Sequence, residues 1–207
     1  RLNAAGRLGD ASRGVELLIA PDGRQARRLA EELDEENMAR RRITADVTAA
    51  AIDQVEREGL TGAPAIVVGD EGWHPGVAGI VAARLVERFG RPAVVVGFED
   101  GVGKGSARTV GDFDVGAAVR ACSDFTETGG GHAGAAGLGV AADRWTEFRA
   151  AFIAQAEAGM PTGGFFLTVD VDAEVALDQI DGRLVDDLAR LRPFGAGNPE
   201  PVFASLG

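Results

Sequence analysis

After Pro21-Asp22 the chain runs to Glu58 with only one further helix breaker, Gly23, at its very start. A stretch this long without a turn residue has one economical solution, a single helix over residues 22–58, with room for one break. At 1.5 Å of rise per residue it spans roughly 50 Å, longer than a small domain is wide. Its apolar stripe is thin: Leu29, Leu33, Ile43, Val47 and Val55. Glu35, Glu36, Arg40, Arg41 and Arg42 make its middle polar. A helix polar around its centre bridges two bodies through solvent, so the segment reads as a connector.

The pattern beyond it is different. Ala65-Ile66-Val67-Val68 is a short β-branched run that ends in Gly69-Asp70, as a buried strand does. Val77, Ile80, Val81, Leu85 and Phe89 repeat with helical period from Pro75 to a stop at Gly90. Residues 93–96 predict a second buried strand, residues 102–110 a glycine-rich strand or loop, and residues 114–122 a short helix capped by Asp112 or Asp114. Gly129-Gly130-Gly131 leads into a strand of small residues over 135–140. Residues 143–157 predict a closing helix with Trp145, Phe148 and Phe152 on one face. This order predicts an α/β domain with a mixed sheet. A linker at 159–164 follows, then an alternating strand over 165–171, a helix over 181–191 and a turn-rich segment over 193–201.

Composition removes several functions. The 207 residues carry 32 acidic and 21 basic side chains, a net charge of −11. A general nucleic-acid coat would be basic, although a local basic site on an acidic body is compatible with this balance. Cys122 is the only cysteine, so neither an internal disulfide nor a thiol zinc site can form. No apolar run approaches the length of a membrane span. The chain opens at Arg1 without a targeting core or an initiator methionine, which reads as an internal piece of a cytoplasmic protein.

Four segments offer chemistry. Gly103-Lys104-Gly105-Ser106-Ala107-Arg108 combines glycines, which let backbone N–H groups approach an anion, with two cations and a hydroxyl. Lys104 is the only lysine beside twenty arginines. If the segment is extended, Lys104, Ser106 and Arg108 share one face. The alternative is a glycine-rich hairpin with solvated charges. Gly129-Gly130-Gly131-His132 leaves an imidazole on a bare backbone, suited to a phosphate; the alternative is a turn with an incidental histidine. His74 precedes a helix start, where orphan N–H groups favour an anion. It can equally be a cap, with Trp73 in the core and Gly76 and Gly79 merely allowing close helix packing. Asn3 and Arg7 flank a glycine-bent segment that could also be a frayed end. Asp170, Asp172 and Glu174 alternate as a solvated strand edge, and no residue cluster suggests a metal site.

The segments Asn3-Ala4-Ala5-Gly6-Arg7, Trp73-His74-Pro75-Gly76, Lys104-Gly105-Ser106-Ala107-Arg108, Gly130-Gly131-His132-Ala133-Gly134-Ala135-Ala136-Gly137 and Pro193-Phe194-Gly195-Ala196-Gly197-Asn198-Pro199 together resemble the RecJ family of the DHH phosphoesterase superfamily, single-stranded-DNA-specific exonucleases. The resemblance implies the end of a catalytic DHH domain over residues 1–21, a connector helix over 22–58, a DHH-associated α/β domain over 59–160 and the truncated start of an OB-fold over 161–207. It also implies 5′-to-3′ hydrolysis of single-stranded DNA in repair and recombination. Mn²⁺ or Mg²⁺ would be held by the DHH domain, whose Asp-His-His triplet this sequence lacks, so the chain alone would be inactive. Asn3, Arg7, His74, Lys104, Ser106, Arg108, Gly130, Gly131 and His132 would contact the strand, with His132 in a supporting catalytic role. Other repair proteins would be partners, and a membrane would not. Two further readings remain at this level: an oligoribonuclease or nucleotide phosphatase of the same superfamily, and a non-catalytic nucleic-acid-binding module.

Overall fold

The computed structural model describes residues 6, 7 and 9–206. They form two compact units, divided between Leu167 and Thr168. Helix α1 (Ser12–Leu18) precedes the long helix α2 (Gly23–Arg57), which is unbroken over 35 residues. The Asp22 carboxylate opens α2 by accepting hydrogen bonds from the Arg24 and Gln25 N–H groups at 2.8 and 2.9 Å. The polar middle of α2 is not wholly solvent-bridging as expected, since Asn37 and Thr44 are buried on its inner stripe. Their polar atoms are satisfied locally. Arg40 Nη2 donates to Asn37 Oδ1 at 3.0 Å, and Thr44 Oγ1 donates to the Arg40 carbonyl at 2.7 Å.

The α/β domain then follows in the order β1 (Ile66–Asp70), α3 (Ala78–Phe89), β2 (Ala93–Glu99), β3 (Val102–Arg108), α4 (Val115–Ala121), β4 (Thr128–His132), β5 (Ala135–Ala141) and α5 (Trp145–Ala158). The sheet order is β1-β2-β3-β5-β4, with β1 and β2 parallel and the remaining pairs antiparallel. It is therefore mixed, as the sequence predicts. Period two divides the strands between two cores. Ile66, Val68, Ala93 and Val95 pack under α2 and α3, against Val47, Ala51, Val55, Val81 and Leu85. Val67, Val94, Val96, Ala107, Leu138 and Val140 face α4 and α5, against Val119, Phe148 and Phe152. Strands buried on both faces lose the polar alternation of a half-exposed sheet. Cys122 lies in the second core, and burial pushes its thiol up to about 11, which leaves it unreactive.

Two local expectations are corrected. Gly129-Gly130-Gly131 is not a turn but the middle of an edge strand, β4. A Cβ at Gly129 would stand 3.0 Å from Val119 Cγ1, and one at Gly131 would stand 2.2 Å from the Ala135 carbonyl oxygen. Gly129 thus lets the strand lie close to α4, and Gly131 lets it close on β5. Residues 165–171 form no strand. Phe165 instead packs on Phe113, ring centroids 5.5 Å apart, and no partner strand takes up the backbone groups beyond it.

In the second unit, β6 (Ala173–Glu174) pairs in parallel with β7 (Phe203–Ala204), around α6 (Gly182–Ala189). Asp172 is more than a solvated edge residue, because its Oδ2 accepts the Val202 N–H at 2.9 Å. Asn198 Nδ2 staples the turn-rich segment by donating to the Leu191 and Pro193 carbonyls at 2.9 and 3.0 Å.

Candidate functional site

The register puts Lys104, Ser106 and Arg108 of β3 on one face of the sheet. Opposite them on β5 lie Gly139, Gly137 and Ala135, and beyond those on β4 lie Thr128, Gly130 and His132. Three cross-strand rows result: Arg108–Ala135–His132, Ser106–Gly137–Gly130 and Lys104–Gly139–Thr128. Lys104, Gly137, Thr128 and His132 are exposed, so this part of the face is open. A Cβ at Gly130 would meet nothing within 4 Å, and one at Gly137 would meet only the Gly105 carbonyl, at 4.0 Å. Beyond Ser106, the Gly137–Gly130 part of the middle row is a bare floor between two rows that carry polar side chains.

Arg108 is the best-positioned group on this face. Its Nη1 donates to Ser106 Oγ and to the Ala107 carbonyl, both at 2.7 Å, and Ser106 Oγ donates onward to the Ala136 carbonyl at 3.3 Å. The guanidinium is half-buried and pairs with no carboxylate among the described residues. Burial and, after it, the nearby Arg7 guanidinium pull its pKa below the ordinary value. The positive charge of Arg7 opposes that of Arg108, and a bound anion would offset that repulsion. The first turn of α3 adds to the attraction. A Cβ at Gly79 would lie 2.6 Å from Arg108 Nη2 and 3.1 Å from Ser106 Oγ, so the positive end of the helix dipole comes directly over the pair.

Gly79→Ala therefore separates function from stability. Alanine suits a helix better than glycine by roughly 1 kcal/mol, so the melt should hold or rise. The new methyl displaces the Arg108 head group, so affinity for a phosphorylated ligand should fall about tenfold, the loss of roughly 1.4 kcal/mol. Isothermal titration beside a thermal melt checks both. Unchanged affinity would show that Arg108 works equally well when displaced.

The other sequence candidates are distributed as follows. Asn3 lies outside the described residues. Arg7 is exposed, and its carbonyl oxygen lies against Gly76, where a Cβ would stand 1.8 Å from it. His74 takes the capping alternative: its Nδ1 accepts the Gly76 N–H at 3.0 Å. Its ring lines a cavity of about 350 Å³ together with Glu71 and Glu99, whose charges disfavour phosphate there. His132 Nδ1 accepts the Gly134 N–H at 3.2 Å, which leaves Nε2 as the ring's donor when neutral. Gly130 is on the open face, whereas Gly131 is turned to the sheet's other side by the pleat. Gly79, Thr128 and Gly137 are additions the sequence reading did not make. Period two counted back from His132 reaches Thr128 as soon as β4 is recognised as a strand.

Among the described residues no three His, Cys, Asp or Glu side chains gather to hold a metal ion, and no helix is long and apolar enough to cross a membrane.

Comparison with known proteins supplies context. A family described as the DHHA1 domain matches residues 62–158, and one described as the RecJ OB domain matches residues 171–207. The single-stranded-DNA-specific exonuclease RecJ of Bacillus subtilis is 37% identical over 203 residues, which cover 97% of this chain and 26% of that protein. The protein of the same name from Dickeya dadantii is 38% identical over 212 residues, 98% of this chain and 37% of that protein. A crystal structure of RecJ in complex with Mn²⁺ from Thermus thermophilus superposes with a TM-score of 0.85 at 32% identity, covering 99% of this chain and 30% of that one. A second crystal structure from the same organism, in complex with Mg²⁺, gives 0.84 at 33% identity, covering 98% and 31%. The chain thus spans between a quarter and two fifths of these proteins.

Proposed function

We propose that this chain, which matches the DHHA1 and RecJ OB domain families and is similar to RecJ proteins over nearly its whole length, grips the 5′ end of a single DNA strand on its open sheet face while the whole protein hydrolyses it. The observation that carries the reading is the half-buried Arg108 guanidinium, tied to Ser106, approached by Arg7 and lacking any described carboxylate partner. A terminal phosphate carries more negative charge than an internal diester and offers more free oxygens. Paired cations and a helix N-terminus select it. The net charge of −11 fits this reading: a strand is repelled by most of the surface and attracted to one face.

Mn²⁺ or Mg²⁺, the ions named with the related RecJ structures, would be held by a part of the whole protein outside this span. This chain's contribution is positioning. Ser106, Arg108 and Arg7 hold the terminal phosphate, the Gly137–Gly130 floor lets the strand lie against the backbone, and His132 presents Nε2 at the edge of the same face. Fixing the reacting groups in this way removes entropy from the barrier. The protein acts in DNA repair and recombination in the cytoplasm, beside other proteins of those processes.

The test uses the full-length protein and this chain side by side, with 5′-labelled single-stranded DNA and Mn²⁺. The full-length protein should release label stepwise from the 5′ end, and the chain alone should release none. Degradation from the 3′ end, or activity in the isolated chain that scales with its concentration after repurification, would sink the proposal.

A further inference from the structure

We infer that Lys104 holds a second phosphate of the strand, distinct from the one gripped by Ser106 and Arg108, so that the site reads length as well as the terminal charge. The inference rests on the phosphate-gripping reading above and adds a separate subsite to it.

Three observations support this. First, the Arg108 head is not free to move toward Lys104. Two hydrogen bonds tie it back to Ser106 Oγ and the Ala107 carbonyl, and the first turn of α3 lies over it. Second, Lys104 stands four positions away on the same strand face, about 13 Å at about 3.3 Å per residue. It is exposed and makes no ion pair or side-chain hydrogen bond among the described residues. Its row neighbours across the sheet are Gly97 and Gly139. A Cβ at Gly97 would stand 2.0 Å from the Trp73 carbonyl oxygen, and one at Gly139 would stand 2.7 Å from Thr128 Oγ1. The Trp73–Pro75 backbone therefore closes one side of the Lys104 row, and a hydroxyl stands on the other.

The third observation is the charge balance. A terminal phosphate carries about −1.5 to −2 near neutral pH. Arg7 and Arg108 already match it. A third cation on that group would add repulsion, whereas a diester with one negative charge matches one ammonium. Beyond Ser106, the open Gly137–Gly130 stretch of the middle row lies between the Arg108 and Lys104 rows. A stacked strand advances about 3.4 Å per phosphate along its axis, and an unstacked strand advances further. The spacing of about 13 Å therefore suits phosphates about two steps apart on an unstacked strand.

The experiment is competition binding to full-length protein in the presence of a chelator, so that nothing is hydrolysed. A 5′-phosphorylated mononucleotide and a 5′-phosphorylated tetranucleotide displace a fluorescent strand. Lys104→Ala should leave the mononucleotide's affinity unchanged and weaken the tetranucleotide's by about fivefold to tenfold, and Lys104→Arg should restore most of that loss. The salt slope for the tetranucleotide should shrink by about 0.7, the value for one single-strand phosphate contact. Equal weakening of both ligands, or of neither, would overturn the inference. Lys104→Gln carries the same test should the alanine variant melt early. Arg108→Ala serves as the separate control: if it spares the mononucleotide, the phosphate-gripping reading fails, whatever Lys104 does.

Discussion

Arg108→Ala in the full-length protein is expected to lower kcat/KM on 5′-phosphorylated single strands by about 30- to 1000-fold, the equivalent of roughly 2–4 kcal/mol. Truncation removes the one guanidinium that is half-buried, hydrogen-bonded to Ser106 and placed under the first turn of α3. Lysine should not rescue it, because a point charge cannot reproduce two parallel hydrogen bonds to phosphate oxygens. Stability should change little. Arg108 has no described carboxylate to leave unpaired, and its removal relieves repulsion from Arg7. Steady-state kinetics beside a thermal melt decide the matter. Full activity with a normal melt would make Arg108 a solvated charge. Lost activity with a collapsed melt would make it a structural residue.

What the sequence made legible follows from which forces act locally. The β1-α3-β2 unit is readable because β-branched runs and a helical period survive burial, and Gly90 marks the stop in a left-handed conformation. The face shared by Ser106 and Arg108 is readable because strand period is rigid. The β2–β3 hairpin carries a local signal as well: Asp100-Gly101 takes φ values of 50° and 80°, as the tight turns of twisted hairpins require. The glycine triplet was not readable as a strand. Its residues have weak strand preference, and what holds them there is pairing with β5 and the approach of α4, both long-range. For the same reason, no local rule could show that Gly131 faces away from Gly130's open side, or that Gly79 serves Arg108 more than helix packing. The alternation over residues 165–171 misled in the opposite direction, since a strand pattern becomes a strand only where a partner is present.

Phe148→Ala should do what Arg108→Ala does not. Phe148 is fully buried on the sheet face opposite the proposed phosphate site, stacked on Trp145 at 6.0 Å and beside Phe152 at the same centroid distance. These rings anchor α5 beneath β1, β2 and β5, and the sheet above them carries the site on its other face. Removing one ring leaves a cavity that close-packed neighbours fill only in part, at a loss of about 3–5 kcal/mol. For a chain of this size that is a fall in Tm of roughly 6–20 °C. The urea midpoint should drop with an unchanged slope, the sign of lost packing rather than of a more compact unfolded state. Below its melt, the variant should bind a 5′-phosphorylated strand with wild-type affinity, because no atom of the ring reaches the Arg108–Ser106 pair. An unshifted melt would mean that α5 is held by something other than its aromatic face. A folded variant with weakened binding would mean that the sheet passes core strain through to the site, and that its two faces are not independent.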